Sequence, residues 1–214
     1  MKKIRVVLVE DHPMFRERLA QLINKEPDMK VHGEADNIRD GFDLIANGGA
    51  TVAVIDIRLK ASSGLELIKN LRSFGIKIPL LVLSMHDESI YAERALRAGA
   101  QGYITKQEAS SKIMTALRQV LAGHVYVGNE VTTRLISHVI GRRQAQVTGV
   151  ERLTDRELAV FELLGLGRTA RQIREELGLG AATVETYRAR IKEKLNLENG
   201  ALLRSEAVRW VHRT

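Results

Sequence analysis

The chain has 214 residues, a formal net charge of +7, an apolar fraction of 44% and no cysteine. That length accommodates two packed domains and the apolar content excludes wholesale disorder, while the missing cysteines exclude disulfides and thiolate metal sites. The surplus charge is spread, +3 over residues 1–125, +2 over 126–150 and +2 over 151–214, so a polyanionic partner must be met by a local stripe and not by a basic block.

The first five residues, Met1 to Arg5, are basic, but the apolar run behind them, Val6–Val9, is only four residues long. That is too short for the core of a signal peptide. No later run approaches membrane-spanning length, and a soluble cytoplasmic protein is expected. Strand-like runs then alternate with helical periodicity from residue 4 to about 122. The strands are Val6–Val9, Lys30–Ala35, Val52–Ile55, Leu80–Leu83 and Gly102–Thr105; the helices are Pro13–Asn24, Arg39–Ala46, Gly64–Phe74, Ser89–Ala98 and Ala109–Ala122. Five β-then-α units imply a doubly wound α/β domain with a five-stranded parallel sheet. Val52–Ile55 and Leu80–Leu83 are apolar throughout, as strands covered on both faces should be, and the alternating Lys30–Ala35 marks an edge. Residues 123–150 carry Gly123, Gly128, Gly141 and Gly149 with Arg142-Arg143 and read as a linker, with a short helix over Val131–Ile140. From 151 to 214 every segment reads helical.

Four strands of the first half stop on chemically capable residues: Glu10-Asp11, Asp56, Ser84 and Lys106. Singly, each has an ordinary explanation. Asp11 would cap the helix that Pro13 opens, Ser84 and Asp56 would start turns, and Lys106 would be a solvated surface charge. Open parallel sheets, however, place their sites along the C-terminal strand edge, which brings all of these residues to one crevice. Three carboxylates there would repel unless protonated or neutralised. A hard divalent cation, Mg²⁺ by ligand type, meets that need and accepts phosphate oxygens, and an aspartate can accept a phosphoryl group covalently. His12 and His86, near the same strand ends, read as loop residues.

Glu10-Asp11, Asp56 with Gly64 eight residues on, Ser84, Tyr103 and Lys106, together with Ala98-Gly99-Ala100-Gln101-Gly102, resemble the receiver domains of bacterial two-component response regulators. The resemblance implies a flavodoxin-like fold over residues 1–122. It also implies Asp56 as phosphoacceptor from a sensor histidine kinase, and Mg²⁺ on Glu10, Asp11, Asp56 and the backbone carbonyl of Arg58. Lys106 would contact the phosphoryl group, Ser84 would swing toward it and Tyr103 would turn inward. The chain departs from the pattern at Leu59-Lys60, where many receivers carry Met-Pro, which would loosen the loop Lys60–Ser63 and put a positive charge beside the site. Met85 stands where a small residue is common and would restrict entry.

In the second half, Thr154-Asp155-Arg156-Glu157 and Thr169-Ala170-Arg171-Gln172 are capping boxes, the first flanked by Leu153 and Leu158 as a hydrophobic staple. Gly178-Leu179-Gly180 then separates two short helices, as in a helix-turn-helix. On the helix Ala181–Leu195 the residues Val184, Tyr187, Ile191 and Leu195 share an apolar face, opposite Glu185, Thr186, Ala189 and Glu193. Arg190, Lys192 and Lys194 flank the polar face, and Arg188 lies near the apolar side, with a stem long enough to reach a phosphate. Such a face suits a major groove, its flanks meeting phosphates and its centre base edges. Asn199 is positioned to cap a last helix, Gly200–Val211. Gly165-x-Gly167-Arg168-Thr169 lacks a preceding strand and a Gly-Lys-Ser/Thr ending, and reads as a helix terminus.

Leu153-Thr154-x-Arg156-Glu157, Gln172-Ile173, Leu177-Gly178, Thr183–Tyr187 and Lys194-Leu195 resemble the LuxR-type helix-turn-helix domain. A receiver followed by that domain is the NarL/FixJ class of response regulators. By that resemblance Thr183, Glu185, Thr186 and Ala189 face DNA, with Arg188, Arg190, Lys192 and Lys194 on phosphates, and the last helix, with Leu202, Leu203, Val208 and Trp210, covers the core and supplies a dimer contact. Glu185 stands where lysine is often found, Gly180 where Ser or Thr is usual, and Arg174-Glu175 where alanine is common. The expectation is a phosphorylation-dependent transcriptional regulator that binds paired half-sites on double-stranded DNA as a homodimer. The rival reading is a phosphorylation-switched protein-interaction module without DNA binding. A hydrolase acting on external substrates is disfavoured, since haloacid-dehalogenase-type enzymes carry a second Asp two residues after the nucleophile and Arg58 stands there.

Overall fold

The computed structural model describes residues 3–59, 62–85, 88–129, 131–133, 136 and 149–212, with only the backbone of Glu88 and Ser89. Lys60, His86, Arg142-Arg143 and most of the expected helix Val131–Ile140 lie outside them. The chain forms two compact units, Met1–Ile140 and Gly141–Thr214. Among the described residues no helix is long and apolar enough to cross a membrane.

The first unit is built on five parallel strands: β1 (Ile4–Val9), β2 (Met29–Ala35), β3 (Val52–Asp56), β4 (Leu80–Ser84) and β5 (Gly102–Thr105), in the order β2-β1-β3-β4-β5. The alternating strand is therefore at an edge, and the wholly apolar β3 and β4 are interior. Around the sheet stand α1 (Pro13–Asn24), α2 (Ile38–Asn47), α3 (Gly64–Ser73), α4 (Glu88–Ala98) and α5 (Lys106–Leu121). Val6, Leu8, Val52, Val54, Leu81, Leu83 and Ile104 form one core with Leu19 and Ile23 of α1 and Ile113, Leu117 and Val120 of α5. The alternate residues Val7, Val9, Ala53, Ile55 and Val82 are as deeply buried and by strand period point the other way. Both faces are thus covered, as a parallel sheet requires.

Local chemistry sets the helix ends. Asn37 accepts from Asp40 N at the start of α2, Ser63 from Leu65 N at α3, and Thr105 from Glu108 N at α5. The helix α5 starts three residues earlier than its periodicity indicates because Thr105 caps it, which puts Lys106 in its first turn. Between β3 and α3 a small hairpin pairs Arg58–Leu59 with Ser62–Ser63, so the Ser62-Ser63 part of the expected loose loop is held. The stretch after α5, assigned by sequence to the linker, still bonds the sheet: Tyr103 N donates to Tyr126 O at 2.8 Å and Tyr126 N to Gln101 O at 2.9 Å.

Among its described residues the second unit comprises a 3₁₀ turn (Gly149–Arg152) and four helices, α6 (Asp155–Gly165), α7 (Ala170–Leu177), α8 (Ala181–Leu195) and α9 (Gly200–Val211). Both capping boxes form as the sequence predicts, and Leu153 and Leu158 of the staple are buried. Gly178 closes α7 in the left-handed conformation at φ 62°, where a side chain would cost about 1 kcal/mol. Asn199 accepts from Ala201 N and Leu202 N to start α9. Leu158, Phe161, Leu164, Ile173, Val184, Ile191, Leu203 and Ala207 are buried. Gly165 is the last residue of α6 and no phosphate loop: a Cβ there would meet Ala207 O of α9 at 2.4 Å.

Candidate functional site

Glu10, Asp56, Ser84 and Lys106 are all buried where β1, β3, β4 and β5 end. Lys106 Nζ lies 2.7 Å from Asp56 Oδ2 and 2.6 Å from Glu10 Oε2. The same ammonium stands 4.9 Å from the centre of the Phe15 ring. One lysine therefore serves two buried carboxylates. Burial pushes the Asp56 carboxyl up to about 7, helped by the neighbouring Glu10 charge and opposed by Lys106 and by the Arg58 N–H, which donates to Asp56 Oδ1 at 3.3 Å. The site under-compensates its negative charge by construction.

Asp11 joins this cluster instead of capping α1. The N-cap of α1 is His12, which makes no side-chain cap hydrogen bond. Ligand atoms of Glu10, Asp11, His12 and Asp56 lie within 4.8 Å of one another. Counting Glu10, Asp11 and Asp56 against Lys106 leaves a formal −2, which one divalent cation would cancel. Asp11 Oδ1 and Glu10 Oε2 are buried without an aligned hydrogen-bond donor, although both lie near a cationic or imidazole nitrogen. This is an acidic pocket fit for a hard metal ion.

His12, which reads as a loop residue in the sequence, also reaches the cluster, as do Phe15 and Arg16, which no motif singles out. His12 Nδ1 is 2.9 Å from Glu10 Oε1 and 2.8 Å from Asp11 Oδ1, and its backbone N–H also donates to Glu10 Oε1. Arg16 donates to Glu10 O at 2.6 Å. The available signal was the spacing: Phe15 and Arg16 fall in the first turn that Pro13 opens, directly after the acidic pair.

Gly64 explains its own place in the pattern. A Cβ there would stand 2.0 Å from Asp56 O, and Gly64 N donates to Ile57 O at 2.8 Å. Only a residue without a side chain lets α3 begin against the backbone of Asp56. Tyr103 is wholly buried on β5. Met85, next to Ser84, is exposed.

In the second unit α8 has the expected two faces. Val184 and Ile191 are buried and Tyr187 and Leu195 half-buried, while Thr183, Glu185, Thr186, Ala189 and Arg190 are exposed and Lys192 is half-exposed. Two residues expected on phosphates are engaged elsewhere. Lys194 Nζ is 2.6 Å from Glu157 Oε2, and Arg188 Nη1 donates to Glu185 Oε1 at 2.7 Å. Burial alone would raise the Glu157 carboxyl, but Lys194 and the Thr154 N–H and hydroxyl hold it below the usual range. Lys194 thus ties α8 to α6.

Comparison with known proteins agrees with this geometry. The response regulator receiver domain model matches residues 6–118, and the model of bacterial regulatory proteins of the luxR family matches 151–211. The chain belongs to the response regulators that join a receiver to a LuxR-type helix-turn-helix, the NarL/FixJ class, whose work is phosphorylation-dependent regulation of transcription. The transcriptional regulatory protein UhpA of Escherichia coli K12 is 34% identical over 196 residues, 92% of this chain and 93% of that protein. The nitrate/nitrite response regulator NarL of the same organism is 30% identical over 209 residues, 97% of this chain and 94% of that protein. The crystal structure of a LuxR-family response regulator from Aurantimonas sp. SI85-9A1 superposes with a TM-score of 0.59 at 27% identity, covering 65% of this chain and 99% of that one.

Proposed function

We propose that Asp56 is the phosphoacceptor, that a sensor histidine kinase is the donor, and that phosphorylation makes two copies of the chain bind paired half-sites on promoter DNA. The observation that carries this reading is the buried Glu10–Lys106–Asp56 cluster, one ammonium shared by two carboxylates at 2.6 and 2.7 Å. An Asp56 carboxylate oxygen attacks phosphorus, the bond from phosphorus to the donor's imidazole nitrogen breaks, and the imidazole leaves with the electron pair. Lys106 Nζ is positioned to receive a phosphoryl oxygen, and the Ser84 hydroxyl to donate to another. Glu10, Asp11, Asp56 and the carbonyl of Arg58 would hold Mg²⁺, which when bound supplies charge neutralisation for the carboxylates and the incoming phosphoryl group.

The new phosphate carries about −1.5 to −2 charge, and Tyr103 and Ser84, on adjacent strands, transmit its arrival to the outer surface of β5 and α4. Met85 at the rim sets phosphate lifetime. On DNA, Thr183, Glu185, Thr186 and Ala189 read bases, and Arg190 and Lys192 take phosphates. The Thr186 hydroxyl donates to Ala182 O at 2.9 Å, so toward DNA it offers a methyl group and lone pairs. We read the chain as receiving phosphate and not as turning over external substrates, with Arg58 two positions after the acceptor as the supporting feature, and place its work in the cytoplasm.

The test is incubation of the full chain with acetyl phosphate and Mg²⁺, read by intact mass, sedimentation and retention of duplex DNA. One phosphoryl group per chain, dimer formation and tighter DNA retention are expected. Uptake that survives Asp56→Asn defeats the site assignment. Uptake without any change in association or DNA binding defeats the switch.

A further inference from the structure

On the exposed side of α8 the one carboxylate held by a charged neighbour of the same helix is Glu185. It is 62% exposed, and Arg188 Nη1 donates to its Oε1 at 2.7 Å. Arg188 itself is only 27% exposed, its Nε is buried without a hydrogen bond, and a Cβ on Gly200 would stand 3.5 Å from its Nη2. The guanidinium therefore lies beside the first residue of α9 and donates one N–H to Glu185. A bare carboxylate on a DNA-facing helix is repelled by the phosphates. Pairing with Arg188 cancels that charge locally and fixes the direction of the remaining oxygen, Oε2, as an acceptor.

We infer that Glu185 reads a cytosine in each half-site and that Arg188 is its positioning residue, not a phosphate contact; this rests on the DNA-binding reading above. The chemistry selects the base. A carboxylate only accepts, and the major-groove edge offers amino donors on cytosine N4 and adenine N6 alone. In adenine the acceptor N7 stands beside the amino group and repels a second acceptor, whereas cytosine presents N4 with no acceptor of its own on that edge. Glu185 lies in the N-terminal half of α8, the part of a recognition helix that meets base edges.

The experiment is selection from a randomised duplex library by the full chain treated with acetyl phosphate and Mg²⁺, followed by sequencing and by salt titration of the selected duplex. Wild type is expected to select one cytosine column in each half-site, with about tenfold preference over other bases. Glu185→Gln, which keeps size and fold, should exchange that column for adenine, since a glutamine amide pairs with adenine N6 and N7. Arg188→Ala should flatten the same column and leave the others, and Arg188→Lys should restore part of the preference. If Arg188→Ala instead weakens all sequences alike and lowers the salt slope by about 1, it is a phosphate contact and the proposal falls. An unchanged cytosine column in Glu185→Gln also defeats it. A wild type that selects no motif at all overturns the DNA-binding reading itself.

Discussion

Each unit of this chain buries a carboxylate against a lysine, and the two pairs have opposite fates. In the receiver, Lys106 must divide itself between Glu10 and Asp56, and Asp56 is pushed up to about 7. In the helical unit, Lys194 faces Glu157 alone, the Thr154 N–H donates to the same carboxylate, and the Glu157 carboxyl is held down. The first arrangement leaves charge uncompensated where a cation and a phosphoryl group would complete it. The second is complete and serves to fasten one helix to another. Burial with a lysine is thus not a functional signature; a surplus of carboxylates over cations is.

The comparison can be broken most severely at Asp56. Asp56→Asn should abolish acetyl phosphate uptake entirely, seen by intact mass, whereas Glu157→Gln should leave uptake at the wild-type level. Next in size is Gly64→Ala, whose methyl must displace the backbone oxygen of Asp56. It should cost the receiver about 3 kcal/mol, read by chemical denaturation, and slow phosphoryl uptake. Glu157→Ala strands Lys194 and half of a capping box and should cost the second unit about 2 kcal/mol, less than breaking a fully buried pair because Lys194 is partly solvated. Trp210 is the sole tryptophan of the chain and packs 5.8 Å from Phe161, so its fluorescence reports this unit separately.

The pH dependences should run in opposite directions. Asp56 binds its proton more tightly folded than unfolded between the ordinary carboxylate range and about 7, so its contribution to receiver stability is greatest in acid and is lost as pH rises through 7. Melting at pH 5.5 and pH 8.5 without divalent cation should show Asp56→Asn gaining on wild type at both, with the larger gain, about 5 °C, at the higher pH. Glu157 binds its proton less tightly folded, so its contribution is present at neutral pH and is lost as pH falls through its lowered value. Smallest is Thr169→Ala, the loss of one exposed cap, worth about 1 kcal/mol in the Trp210-monitored transition.

Much of this was legible because it is local. Pro13, Thr154, Thr169, Gly178 and Asn199 announce helix ends within a turn of themselves, and runs such as Val52–Ile55 announce interior strands by composition alone. The strand-end rule of parallel sheets then brings Glu10, Asp11, Asp56, Ser84 and Lys106 to one edge from sequence alone. What escaped is the closing of long side chains over distance. Glu157 reads completely as a capping-box residue, and nothing near it signals the bond to Lys194, 37 positions on. Arg188 shows no local mark of Gly200 beneath its guanidinium. His12 looked like a loop residue because its two carboxylate neighbours precede it in sequence and reach it only through side-chain rotation.

The two backbone bonds from Tyr126 to Gln101 and Tyr103 have a practical meaning for anyone dividing the molecule. β5 is the last strand of its sheet, and an open last strand is a template for unwanted pairing between copies. The Tyr126 rung covers part of that margin. A receiver fragment ended at 122, where the helical periodicity stops, would strip the rung away and invite self-association along the bared edge, whereas one carried through 129 keeps that part of the margin covered.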